Sequence, residues 1–280
     1  MESRSFSAPA PGGTLVGQQV GDGPPVLLLH GGPSLSYDYL DDLAAEFVPG
    51  YHVAWYQQRS LVPSTLDGPF TVEQHVADIA SVLDELGWER AWIIGHSWGG
   101  HLAIAATVTL GKRLLGAIAV DPLGAAGDGG AAEFEANMSA RTPAESRERA
   151  RQLDERAMAG EGTVEDALEG LRLVWPAYFA DPSNALPMPP MSMSLEGYAE
   201  TWASLESGLP SLTDALPTVS VPVSFVHGDM SPIPITASTD TAALIPGASV
   251  EVVAGAGHFV WFERPGEVRR ALDRLAAAPA

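Results

Sequence analysis

The chain has 280 residues, 46% of them apolar and 18% charged, which supplies a sizeable core and excludes a disordered chain. Cysteine is absent, so a disulfide framework, thiol catalysis and thiolate metal sites are excluded and a reducing compartment fits. Fifteen Lys and Arg stand against 35 Asp and Glu, a formal net charge of −20 with no basic stripe, so nucleic acid and anionic membrane surfaces are excluded as partners.

Taken in chain order, the opening MESRSFSAPAPGG has no apolar h-region, and no later run approaches the ~18 apolar residues of a membrane span. The expectation is a cytoplasmic protein. "PPVLLLHGG" is a short apolar run closed by glycines and predicts a buried strand. "YDYLDDLAAEF" predicts a helix, and "YHVAWYQQR", rich in β-branched and aromatic residues, a second strand. In "TVEQHVADIASVLDELG" Val72, Val76, Ile79, Val82, Leu83 and Leu86 share one helical face. Thr71 and Gln74 read as its capping box, and Gly87 stops it. His75 on this helix is expected to be solvated.

"RAWIIG" is the next strand, "GGHLAIAATVTLG" a buried helix, and "LLGAIAVD" another strand. Alternating strands and helices imply a mostly parallel sheet with helices on both faces. The alternation breaks after Asp121. Thr142-Pro143-Ala144-Glu145 reads as a capping box opening a helix, and "TVEDALEGLRLVWPAYF" as a second helix ending near Pro176. "LPMPPMSMS" is neither helix nor central strand, and "LEGYAETWASLES" is a third helix. Residues 125–213 thus read as a helical cap inserted into a core of 1–124 and 214–280. "VPVSFVHG", "PITASTDTAALIPG", "SVEVVAGAG" and "PGEVRRALDRLA" then resume as strand, helix, strand and helix.

The chemistry gathers at strand ends. Gly95-His96-Ser97-Trp98-Gly99 lies between the apolar Trp92-Ile93-Ile94 and a small-residue helix. G-x-S-x-G alone is weak, and a serine that merely caps a helix would look similar. In a strand–turn–helix context it reads as a nucleophile on a sharp turn, where glycines make room for the crossing backbone. The helix N-terminus favours negative charge at the serine oxygen. His30-Gly31-Gly32-Pro33 follows an earlier strand. With Trp98, the residue after the serine, Gly32 would supply the two backbone N–H donors that an oxyanion needs. Of the seven histidines, His258 suits a general base: it sits in a glycine-rich turn after the last strand, giving the chain order serine, acid, histidine. His101 reads as a packing residue, and His96 is expected to point away from the site.

With these segments in hand, the chain resembles α/β-hydrolase-fold enzymes over nearly its full length outside the insertion. "LLLHGGPSLSYDYL", "YQQRS", "GHSWGGHLA" and "GAGHFVWFERP" fall in the family's order. The first is similar to the proline iminopeptidase branch, which has an HGGPG-like loop and an Asp-Gln-Arg turn. Here Pro33 is followed by Ser34, the turn reads Tyr56-Gln57-Gln58-Arg59-Ser60, and His96 stands before the serine where that branch has glycine. The elbow is nearer to esterases and C–C hydrolases. The resemblance implies an Asp nucleophile for epoxide hydrolases and dehalogenases, so Ser97 argues against both.

A triad also needs a carboxylate to hold the histidine tautomer. The resemblance implies one in a G-x-x-D turn after the penultimate strand, but that position is the uncharged Ser231. Asp229 sits two residues early, about 6–7 Å along an extended chain. Asp121 ends the strand beside the one delivering Ser97, and is favoured over Asp229 for its rigid, buried place. Another carboxylate, or none, stays open.

The insertion carries Trp175, Tyr178, Phe179, Met188 and Met191 as candidate pocket residues, with core packing as their alternative role. No metal-ligand spacing or phosphate-cradling loop is seen, so no cofactor or metal is expected. The leading expectation is a serine hydrolase of a small, apolar ester, lactone, thioester or amide. A lyase, cyclase or dehydratase on the same machinery, an aminopeptidase, or a non-enzymatic binding protein are the alternatives. A small-molecule substrate is expected, and the oligomeric state stays open.

Overall fold

Val26, Leu27, Leu28 and Leu29 are buried, as are all six residues of the strand that leads to Ser97, because helices cover both faces of the sheet. The computed structural model describes residues 3–158 and 161–277. Its strands are β1 Arg4–Ala10, β2 Gly13–Val20, β3 Pro25–Leu29, β4 His52–Tyr56, β5 Ala91–His96, β6 Leu114–Val120, β7 Val223–Gly228 and β8 Ser249–Val253. They form one sheet in the order β1-β2-β4-β3-β5-β6-β7-β8. β2 runs antiparallel to β1 and β4, and the remaining pairs are parallel.

On one face lie α2 (Val72–Glu85) and α3 (Trp98–Thr109), packed through Val76, Ile79, Leu102 and Ile104; the other holds α1 (Asp41–Phe47) and the last helix, packed through Leu43, Phe47, Val268 and Leu272. The chain runs from β3 outward to β4 and returns to β5 on β3's other side. The loops after β3 and β5 therefore meet above the sheet's carboxyl edge, the usual crevice for a ligand in such sheets.

Between β6 and β7 come α4 (Ala131–Arg141), α5 (Ala144–Met158), α6 (Val164–Val174) and α7 (Leu195–Ala215). α8 (Ile235–Ala243), α9 (Val260–Glu263) and α10 (Glu267–Ala277) close the chain. No helix among the described residues is long and apolar enough to cross a membrane.

Several local expectations need correction. The hairpin β1–β2 has no counterpart in the sequence reading; few of its residues, such as Phe6, Ala8 and Leu15, are buried, and a Pro11–Gly12 turn joins the strands. α4 has no counterpart in the sequence reading: glycine stands at its N-cap, and the carboxylate that takes Gly130 N and Ala132 N comes from Asp128, two residues earlier in a glycine-rich stretch. Thr71 does cap α2, accepting from Gln74 N, but the Gln74 amide turns to Asp78 instead of closing a box. Thr142 closes α4, its hydroxyl bonding Met138 O, and does not cap α5. α7 continues through Pro210 to Ala215, eight residues past Ser207. His75 is fully buried, its ring edge-on to Trp98 beneath Thr201 of α7.

Candidate active site

β5 ends at His96 and α3 begins at Trp98, so the whole change of direction falls on Ser97. Its φ of 57° lies in the left-handed region that non-glycine residues rarely enter. A Cβ on Gly95 would come within 1.9 Å of Gly99 O, and one on Gly99 within 2.2 Å of Leu29 O. The flanking glycines are thus a steric requirement of the crossing backbone. Trp98 follows at the first position of α3, where backbone N–H groups lack an intrahelical acceptor.

The loop after β3 abuts this turn, for a Cβ on Gly31 would lie 2.8 Å from Ser97 Cβ. Gly31 N donates to the Tyr39 hydroxyl (2.5 Å), so its N–H is already committed. Gly32, at φ 57°, comes next and lines the same chamber as Ser97. Gln58 spans both segments: its amide nitrogen donates to His30 O (3.0 Å) and its oxygen accepts from the Trp98 indole (2.8 Å). His30 takes the Gln58 backbone N–H at Nε2 and holds Gly31 O through Nδ1, a neutral ring lowered to about 4 by burial.

His258 lies in the turn after β8. Its Nδ1 is 2.5 Å from Asp121 Oδ2, and both side chains are buried. Asp121 leaves β6 at φ 46° and takes Gly228 N on its other oxygen (3.2 Å). The Ser231 hydroxyl donates to Oδ2 (2.5 Å). His227 Nδ1 lies 3.3 Å from Oδ1, although Ser238 and Ile233 O are its hydrogen-bond partners. Burial raises the Asp121 carboxyl to about 6, against the lowering effect of His227, Ser231 and Gly228. Burial likewise holds His258 down, toward about 3, which keeps the imidazole neutral. The Asp229 carboxylate bonds elsewhere: it is exposed and accepts from Gly255 N (2.6 Å), serving its own turn.

His96 was expected to face elsewhere, but its ring lies 4.4 Å from that of His258, centroid to centroid. His101 packs as expected, stacked on Trp98 and bonded to Gly124 O. Tyr39 and Ser231 complete the surroundings of the two histidines; no sequence signal singles out Tyr39, whereas Ser231 stands where an acid was sought.

Two chambers meet at Ser97. The smaller, about 70 Å³, is lined by Ser97, His258, Gly32, Trp175, Tyr178 and Met191 among others. The larger, about 390 Å³, opens toward the inserted helices past Phe134, Met193, Tyr198 and Trp202. Phe179 and Met188 line neither: Phe179 is buried against Trp175 and Phe259, and Met188 packs beside the same cluster. A bigger groove of about 830 Å³ lies outside, between α2, α3 and α7, and includes neither Ser97 nor His258. Among the described residues no group of three or more His, Asp or Glu is arranged to hold a metal ion.

One family model, that of the alpha/beta hydrolase family, matches residues 26–271. The chain belongs to the alpha/beta hydrolase family. It is 29% identical to Epoxide hydrolase A of Mycobacterium tuberculosis over 89% of each chain. It is 35% identical to Proline iminopeptidase of Lactobacillus helveticus over 88 residues, a match spanning 29% of either chain. Among solved structures, Proline iminopeptidase of Mycobacterium smegmatis superposes with a TM-score of 0.68 at 23% identity, covering 98% of this chain and 97% of that one.

Proposed function

We propose that this family member is a serine hydrolase acting on a neutral, apolar ester, lactone, thioester or amide through an acyl-enzyme. The observation that carries the reading is the buried His258–Asp121 hydrogen bond, in a ring that shares a chamber with Ser97. Ser97 Oγ attacks the acyl carbon and passes its proton to His258 Nε2. Asp121 holds the tautomer and steadies the imidazolium, while Trp98 and Gly32 donate backbone N–H groups to the oxyanion. The leaving group departs with the proton from His258. Water then repeats the steps and releases the acid.

Epoxide opening, prompted by the mycobacterial relative, is weaker on chemistry. A carboxylate nucleophile opens an epoxide to an ester, which water can cleave. Ser97 would form an ether, which the same groups cannot hydrolyse. An aminopeptidase needs a partner for a substrate ammonium, and no Asp, Glu, Lys or Arg lines either chamber among the described residues. A lyase or cyclase would use Ser97 and His258 without acylation.

A fluorophosphonate should label Ser97, read by peptide mass spectrometry, and p-nitrophenyl esters should give a burst of one p-nitrophenolate per site. Ser97→Ala should abolish both. Absence of labelling and of a burst in the wild type would sink the acyl-enzyme reading.

A further inference from the structure

The two chambers at Ser97 differ in size, and His258 lines only the smaller. Its imidazole is not free to serve the other. Asp121 holds Nδ1 at 2.5 Å, and the rings of His96, Tyr178 and Phe259 surround it at 4.4, 5.1 and 5.2 Å between centroids. Its backbone N donates to Tyr178 O (2.8 Å), and Glu263 bridges Gly257 N and Ala180 N, so the turn is tied down as well.

In acyl transfer the group that leaves must receive its proton from the histidine. It therefore departs on the side that the histidine faces. We infer that the enzyme divides its substrate accordingly: a small leaving group occupies the His258 chamber, and a bulky apolar acyl group fills the larger one. This rests on the serine-hydrolase reading above.

The sizes set the classes. About 70 Å³ holds roughly two water-sized groups at ~30 Å³ each, enough for a methoxy leaving group and later for the attacking water. Tyr39, Trp175, Met191 and Phe259 line it and not the larger chamber, while Leu35, Leu171 and Tyr178 line both. The larger chamber, about 390 Å³, takes on the order of a dozen such groups. Phe134, Leu171, Met193, Tyr198, Trp202 and Ile233 line it, as suits an aryl or branched alkyl acid. The step balances as ester plus water giving acid plus alcohol: the C–O bond to the alkoxy group breaks, and that oxygen takes the proton that His258 received from Ser97.

An isomeric pair tests the division. Methyl 3-phenylpropanoate and 2-phenylethyl acetate have the same formula with the ester reversed. The methyl ester should be hydrolysed at least about tenfold faster in kcat/KM, and Met191→Ala, which widens the small chamber, should narrow that ratio. Equal rates, or a preference for 2-phenylethyl acetate, would overturn the division while leaving the serine-hydrolase reading standing, provided that a fluorophosphonate labels Ser97. Failure of that labelling would instead remove the reading beneath it, and the inference with it.

Discussion

His96 Nε2 donates to the backbone carbonyl of His258 across 3.1 Å. That bond settles the tautomer, for a carbonyl can only accept. Nδ1 is left to accept the Tyr39 hydroxyl proton (2.9 Å), and the Tyr39 oxygen takes the Gly31 N–H. One continuous line of hydrogen bonds thus joins the loop that carries Gly32 to the turn that carries His258. Burial, with the neighbouring His258, holds His96 well below its ordinary pKa, so the line stays neutral.

Breaking that line tests whether it positions the two segments. His96→Phe keeps a ring of similar size but leaves Tyr39 and the His258 carbonyl without their partner. kcat/KM should fall about 10–100-fold, the usual cost of removing a group that orients a functional one. Fluorophosphonate labelling of Ser97 should persist, at a lower rate. Unchanged kinetics in a folded His96→Phe variant would assign the line to packing alone.

The pH profile follows from the Asp121–His258 pair. Burial raises Asp121 to about 6 and lowers His258 toward about 3, so the first proton taken up as pH falls binds the pair near pH 6. The protonated pair lacks the carboxylate that steadies the imidazolium. kcat/KM should therefore drop as pH falls through about 6 and level off above it. A profile flat down to pH 4, or an acid limb above pH 7, would contradict this assignment.

Asp121→Asn should separate activity from stability. An amide favours the wrong imidazole tautomer, so kcat should fall by about 10⁴. Asp229→Asn, at an exposed turn, should cost less than a few-fold. Asp121 has a raised pKa in the fold, so the stability it gives is present below the unfolded value near 4 and is lost as pH rises through about 6. Asparagine carries no charge and accepts a positive φ. By thermal melts, Asp121→Asn should be more stable than wild type by about 1–3 kcal/mol at pH 8 and show no gain near pH 4.

Stability elsewhere hinges on Arg59 and Asp78. Both are buried, and the guanidinium holds the carboxylate through two bonds of 2.6 and 2.7 Å. Asp78→Ala leaves a buried cation and should destabilise by about 3–5 kcal/mol in urea unfolding. A loss below about 1 kcal/mol would mean that water reaches Arg59 in the variant.

Residues at element ends were the most legible. Ser97 and Asp121 each directly follow a buried apolar strand, and His258 a glycine-rich turn after β8, so their place above the sheet could be read from their neighbours. Burial set by distant chain was not legible: His75 is covered by Thr201, 126 residues away. His96 was misread because side-chain alternation holds only along extended backbone, and the chain reverses at Ser97 with φ 57°. The antiparallel strands β1 and β2, at one end of the sheet, lack the continuous apolar run that marks the central parallel strands. Chamber walls were half legible. Trp175, Tyr178 and Met191 fall on them, while Phe179 and Met188, equally apolar, serve the core.

The loop after β3 is paired with the inserted segment through Ser36 N to Ser192 O (3.1 Å) and Ser194 N to Ser34 O (3.0 Å), with Leu35 opposite Met193. This bears on how the protein could be recombined with its relatives. A chimera joined at the ends of the insertion would import a foreign strand edge against Ser34–Ser36 and disturb the backbone next to Gly32. The heritable module is thus discontinuous: the inserted helices together with the loop from Gly32 to Ser36, some ninety residues upstream, are the parts that would have to travel together.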